Sequence, residues 1–199
     1  MSYAIIGFGK IGHALAKAFA RQGIEVSVAT TRDPASFASD AAAIGPTIIP
    51  KTLAEAVKAD IIFLAVRFES HPKVAKALPN WKGKTIVDAM NTSAPLEELD
   101  GLPSSAVVAK AFTGAKLVKG FNHLVAPVLE QDPALHGGRR VVFLSSDDDG
   151  AAAEIGALAE NLGFAPVNLG GLSEGGLLIH ARGKIWGRLI FKDLVKFDG

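Results

Sequence analysis

From Tyr3 to about residue 120 the chain alternates short, densely apolar runs with stretches whose apolar residues recur every three or four positions. The runs "YAIIG", "IEVSVAT" and "PTIIP" read as strands. "DIIFLAV" and "GKTIVDAM" are nearly continuous apolar runs, the pattern of parallel strands covered on both faces. Between them, Ile11 to Arg21 places Leu15 and Phe19 on one helical face. "TLAEAVKA" predicts a second helix with Thr52 as its N-cap. Val107 to Asn122 reads as further strand material, and "RRVVFLSSDDDGAAAEIGALAENLGFAPVNLG" as strand, helix, strand. Such alternation predicts an α/β fold: a Rossmann-type doubly wound, mainly parallel sheet.

Residues 1–169 account for that sheet and form the expected dinucleotide-binding domain. Residues 170–199 are first glycine-rich and then amphipathic, with Trp186, Leu189, Ile190, Leu194 and Val195 as apolar members. This tail is expected to cap the site or pack on a second subunit, and a homodimer is the expected assembly.

Composition narrows the class. At 199 residues the chain can bury one substantial core, and 49% hydrophobic with 21% charged residues fits an ordered globular protein. A net charge of +1, with no basic cluster denser than Arg139-Arg140, argues against nucleic acid or an anionic membrane as partner. Cysteine is absent, which excludes disulfides, thiolate catalysis and cysteine-ligated metal. Ile5-Ile6 is interrupted at once by Gly7, so no secretory leader is expected, and "IIFLAV" is far short of a bilayer span. The expected location is cytoplasmic. The run Asp147-Asp148-Asp149 reads as an N-cap with anions at the positive end of a helix rather than as a metal site, and no metal is expected.

The first strand runs into Gly7, Gly9 and Gly12, a G-x-G-x-x-G set at a strand-to-helix turn. Gly7 permits the tight turn, Gly9 lets backbone approach a pyrophosphate, and Gly12 lets helix and strand pack closely. Phe8, Lys10 and Ile11 complete the turn and the helix start, whose free N–H groups and positive dipole end suit phosphate. About 20 residues on, a dinucleotide fold specific for NAD carries an acid for the ribose hydroxyls. Thr30, Thr31 and Arg32 stand there instead. Hydroxyl donors and a guanidinium suit a 2′-phosphate, so the expected cofactor is NADP(H). Asp33 precedes Pro34 and reads as the cap of the next helical turn.

In these residues the chain resembles the NADP oxidoreductase family that acts with the deazaflavin coenzyme F420, and is similar to the cytosolic domain of the STEAP ferric reductases. The matching pieces are "IIGFGKIGHALAKAFARQGIEVSVATTR", "ADIIFLAV", "GKTIVDAMN", "VKGFNHL" and "SSDDDGAAAEIGALAENLGFAPVNLGGL", in family order. The resemblance implies that Ala65, Val66 and Arg67 pass close to the ribose and nicotinamide. It implies Asn91 at the nicotinamide end, and Asn122 and His123 beside the face where hydride leaves, as the catalytic candidates. Arg67 stands where relatives often carry proline, and Phe121-Asn122-His123 differs from the "LHT" of the deazaflavin reductases. The acceptor therefore stays open.

Hydride transfer to a flavin-like ring depends on proximity and orientation more than on a dedicated acid. The expected function is an NADPH-dependent oxidoreductase acting on a deazaflavin, a flavin or another small conjugated acceptor. The alternative is a catalytically silent NADP(H)-binding module that reports the redox state of the pool.

Overall fold

The computed structural model describes residues 1–135, 137–181, 183, 185–186 and 191–193. Six strands form the parallel heart of the sheet: β1 (Tyr3–Ile6), β2 (Val26–Ala29), β3 (Ile48–Pro50), β4 (Ile61–Leu64), β5 (Thr85–Asp88) and β6 (Lys116–Gly120). Their order is β3-β2-β1-β4-β5-β6, so the chain reverses direction across the sheet between β1 and β4. Ligands of doubly wound sheets sit at that switch point, outside the carboxyl ends of the strands. Beyond β6 come β7 (Ala134–Leu135), β8 (Gly138–Ser145), β9 (Ala165–Asn168) and β10 (Phe191–Asp193). β8 runs antiparallel to β6, and β9 runs parallel to β8.

Strand alternation divides the core. Ile5, Phe63, Val87 and Val118 point to one face, under α1 (Lys10–Arg21). Ala4, Ile6, Ile62, Leu64, Ile86 and Leu117 point to the other. Both faces are therefore apolar, which is why β4 and β5 read as continuous hydrophobic runs. Each buried Val, Leu, Ile or Phe among them contributes about 1.5–3 kcal/mol relative to exposure.

Helices follow the expected signals in several places. α3 (Leu53–Ala56) opens with a capping box, in which Thr52 and Glu55 satisfy each other's backbone N–H groups. Asp33 Oδ1 accepts from the Ala35 N–H at 2.8 Å and caps the 3-10 turn that starts at Pro34. Asp148 caps α7 (Asp149–Asn161) by accepting from the Ala151 N–H at 2.7 Å. One expectation needs correction. The strand material expected from Val107 begins only at Lys116, because Ser104–Ala111 is a helix, α5. The physical reason lies in β5 and β6, which are parallel neighbours. Their connection must cross back along the sheet, and a helix is the usual way to do so.

α2 (Ala38–Ile44) lies between β2 and β3, and two further short helices bear on the site: α4 (His71–Ala75), after β4, and α6 (Ala126–Leu129), after β6. A last one, α8 (Gly175–Leu178), begins the carboxy-terminal segment.

Candidate dinucleotide site

The turn after β1 is built on close backbone approach. Gly7 has φ +104°, and a Cβ there would run into the Ala65 carbonyl at the end of β4. A Cβ on Gly12 would overlap the Gly7 carbonyl oxygen. Gly9 differs from both, since a Cβ there would meet nothing within 4 Å. Gly7 and Gly12 are required by the protein's own packing, whereas Gly9 leaves open space above the turn. The N-cap of α1 is Gly9, with no side-chain cap, and the leading N–H groups of the helix have no acceptor within it.

Two clefts open from this turn, and a further one adjoins the first of them at Thr30 and Thr31. One, of about 370 Å³, runs from Gly7, Phe8 and Gly9 past Ala65, Val66 and Arg67 to Thr30 and Thr31. A second, of about 430 Å³, continues from Thr30 and Thr31 to Arg32, Asp33 and Thr52. The third, of about 490 Å³, leaves Phe8 and Gly9 on the other side, between Lys10 and His13 of α1 and Pro127 of α6. Ile11, on the same turn, packs against the core beneath.

Local contacts tie Thr30 to Arg32 and Arg32 to Phe37. The Arg32 N–H donates to Thr30 Oγ1 at 2.9 Å, and the Arg32 guanidinium lies over the Phe37 ring, 5.6 Å from its centroid. Asp33 Oδ1 is engaged in its cap, and the residue also lines the second cleft. Lys73 lines both the first and the second cleft, together with Leu53. Sequence reasoning passed over both residues. They come from α3 and α4 and reach the site only because each helix packs beside its neighbouring strands. Pro72, in the first turn of α4, was the one available signal that a helix starts near this loop. His71 is buried and its Nδ1 lies 2.5 Å from the Phe68 carbonyl, which ties it to the turn rather than to the cleft.

At the ends of β5 and β6 the fold joins two of the expected residues. Asn91 Nδ2 donates to the Asn122 carbonyl at 2.7 Å, and Asn122 Nδ2 donates to Asn91 Oδ1 at 3.0 Å. Asn122 Nδ2 also donates to the Ile179 carbonyl at 2.7 Å, and Trp186 Nε1 donates to the Asn122 carbonyl at 3.3 Å. Phe121, immediately before, takes a left-handed backbone with φ 61°, uncommon for a residue with a bulky side chain. Its ring is gripped between Phe63 and Phe164, with centroids 5.6 and 5.9 Å away. That aromatic clamp supports the strained turn that aims Asn122.

His123 is 1% exposed, packs on the Phe143 ring at 4.8 Å and lines none of the three clefts. Neither ring nitrogen has a hydrogen-bond partner among the described residues. Burial pushes its pKa down to about 4, while the Val141 backbone pulls weakly the other way without completing a hydrogen bond. The imidazole is neutral at physiological pH.

Residues 2–92 match the family model described as NADP oxidoreductase, coenzyme F420-dependent. Through those residues, just under half of the chain, the protein is similar to that family. The match ends just past Asn91 and so covers β1 to β5, the glycine turn and the Thr30-Thr31-Arg32 corner. The cofactor of this family of oxidoreductases is NADP(H). The hypothetical protein SMa0349 of Sinorhizobium meliloti is 36% identical, with a TM-score of 0.92 over 97% of this chain and 96% of that one. A protein of Arthrobacter sp. FB24, assigned as an F420-dependent NADP-reductase, is 26% identical with a TM-score of 0.70 over 86% of each chain. Metalloreductase STEAP3 of Rattus norvegicus is 29% identical over 85% of this chain, which spans only 34% of that protein's length. Among the described residues, no helix is long and apolar enough to cross a membrane.

Proposed function

We propose that this oxidoreductase transfers hydride between NADP(H) and a small conjugated acceptor, a deazaflavin or a flavin. The observation that carries the cofactor half is the pairing of open space over Gly9 with a cationic corner at Arg32 and Lys73. In this reading Gly7, Phe8, Gly9, Lys10 and Ile11 receive the pyrophosphate. Thr30, Thr31, Arg32 and Lys73 receive the 2′-phosphate. Ala65, Val66 and Arg67 pass beside the ribose. When bound, the cofactor supplies hydride from its nicotinamide ring. The protein's part is to hold that ring still and dry.

Asn91 is exposed and its amide is fixed by Asn122, which suits it to orient the nicotinamide end. Asn122 acts on the ring through Asn91 and through its own backbone. His123, buried and neutral, serves the hydride face by supporting this loop from beneath and exchanges no proton with the acceptor at neutral pH. The tail from residue 170 caps the Asn122 loop, since Ile179 and Trp186 both bond to it. Trp186, Leu177 and Val125 remain exposed on this chain, which supports a homodimer seated on that end of the molecule. Leu189 and Ile190, expected in the same contact, lie outside the described residues. Light scattering of the purified protein should return a dimer mass. The cytoplasm is the proposed location, in keeping with the lack of cysteine.

The test is anaerobic stopped-flow mixing of the NADPH-loaded protein with the deazaflavin, FMN, FAD and quinones. Rapid loss of NADPH absorbance with one acceptor class is expected. A second reading has one observation in its favour: the cap on Asn122 restricts access to the nicotinamide side. If NADPH binds tightly and no acceptor oxidises it, the silent redox-reporting module replaces the reductase.

A further inference from the structure

Three residues before each partner of the Asn91–Asn122 pair stands one half of a buried ion pair. Asp88 ends β5, Lys119 lies in β6, and the two are register partners across parallel strands. Lys119 Nζ donates to Asp88 Oδ2 at 3.1 Å and to the Met90 carbonyl at 2.5 Å. Asp88 Oδ1 accepts from the Met90 N–H at 2.9 Å, and Oδ2 also accepts from Ser105 Oγ at 2.9 Å. The two side chains are 1% and 0% exposed, and neither lines any of the three clefts.

Both backbone polar groups of Met90 are thus held by this pair, the N–H by Asp88 and the carbonyl by Lys119. Met90 directly precedes Asn91. Charges this deep are costly to desolvate, and a well-packed apolar pair of similar volume is often as stable or more so. Ion pairing by itself therefore does not account for Asp88 and Lys119; what the pair holds does. An apolar pair would leave both Met90 groups without partners and the start of the Asn91 loop free to shift. We infer that Asp88 and Lys119 are positioning residues that set Asn91, and through it Asn122, at the nicotinamide end of the cofactor. The inference rests on the reading of Asn91 as a nicotinamide-side residue.

The experiment compares NADPH with 2′,5′-ADP, which carries the adenosine phosphates and lacks nicotinamide. The variant is Asp88→Asn with Lys119→Met, which removes both charges together and leaves no lone charge in the core. It should bind 2′,5′-ADP as the wild type does and bind NADPH about 10-fold more weakly. It should also lose the fluorescence change of the bound nicotinamide. Asn91→Ala should show the same split, and combining all three substitutions should cost no more than either variant, because they act through one contact. Should the paired variant fail to fold, Ser105→Ala removes only one donor to Asp88 and should show the same split at about 2-fold. Wild-type NADPH affinity and fluorescence in these variants would overturn the inference, as would additive losses. A wild type that binds NADPH no more tightly than 2′,5′-ADP overturns the reading of Asn91 itself, and the inference with it.

Discussion

Asn91 and Asn122, 31 residues apart in the chain, exchange two hydrogen bonds and so join the ends of β5 and β6. Asn122 is the more constrained partner, because its amide also holds the Ile179 carbonyl of the carboxy-terminal segment. Asn122→Ala should remove donors from Asn91 Oδ1 and from Ile179 at once. A cost of about 1–3 kcal/mol in denaturant unfolding is expected. Limited proteolysis should also cut more readily beyond Leu178 once that tie is gone. Unchanged unfolding with unchanged cleavage would mean that the tail is held elsewhere.

Substitution at Gly9 is expected to separate cofactor binding from folding. A Cβ at this position touches no protein atom within 4 Å, and the backbone there, at φ −92°, suits any L-residue. Gly9→Ala should melt with the wild type yet lose NADPH affinity by 10-fold or more, roughly 1.4 kcal/mol, because its methyl occupies the phosphate approach. Gly12→Ala should instead fail to fold stably, since its methyl would overlap the Gly7 carbonyl. Circular dichroism melts with calorimetric titration distinguish the two. A Gly9→Ala protein with full affinity would move the pyrophosphate off this turn.

Arg32 and Lys73 face the same cleft from different helical connections. Hydrogen bonds to a charged phosphate are worth ~1.5–3 kcal/mol, so Arg32→Ala should weaken NADPH binding by roughly 10- to 150-fold. Lys73 is exposed and acts as a point charge, so Lys73→Ala should cost less, about 3- to 10-fold. NADH affinity should stay where it is in both variants. Calorimetry with both reduced cofactors checks this, and equal losses for NADH would place both side chains away from the 2′-phosphate.

His123 makes the fold sensitive to mild acid. Its pKa falls to about 4 in the folded protein from about 6.5 in the unfolded chain. Between those values the unfolded chain binds a proton that the folded one does not, so stability rises with pH across this window. The contribution is complete above about pH 6.5 and is lost progressively down to pH 4, an effect on the order of 3 kcal/mol. His123→Phe, which keeps a ring against Phe143, should flatten that part of the curve. Denaturant midpoints measured from pH 4.5 to 7.5 provide the check. An unchanged slope would assign the acid sensitivity to carboxylates.

Much of this molecule was legible without coordinates. The alternation of apolar runs set the strands, because a strand buried on two faces has no polar position to offer. Thr52, Asp33 and Asp148 announced their caps, because a cap is a contact within three residues. The glycine turn and the Thr30-Thr31-Arg32 ending pointed to the cofactor for the same reason: their chemistry is local. What the sequence could not carry were contacts between distant segments. The helix over Ser104–Ala111 was hidden by its β-branched residues, and only the need to cross between parallel strands overrode them. Lys73 joins Arg32, Asn91 joins Asn122, and Asp88 joins Lys119 only after β-strand order brings their elements together. The burial that silences His123 is likewise a property of the packed sheet. Local hydrogen bonds and side-chain periodicity are written along the chain, whereas desolvation and strand neighbours exist only in three dimensions.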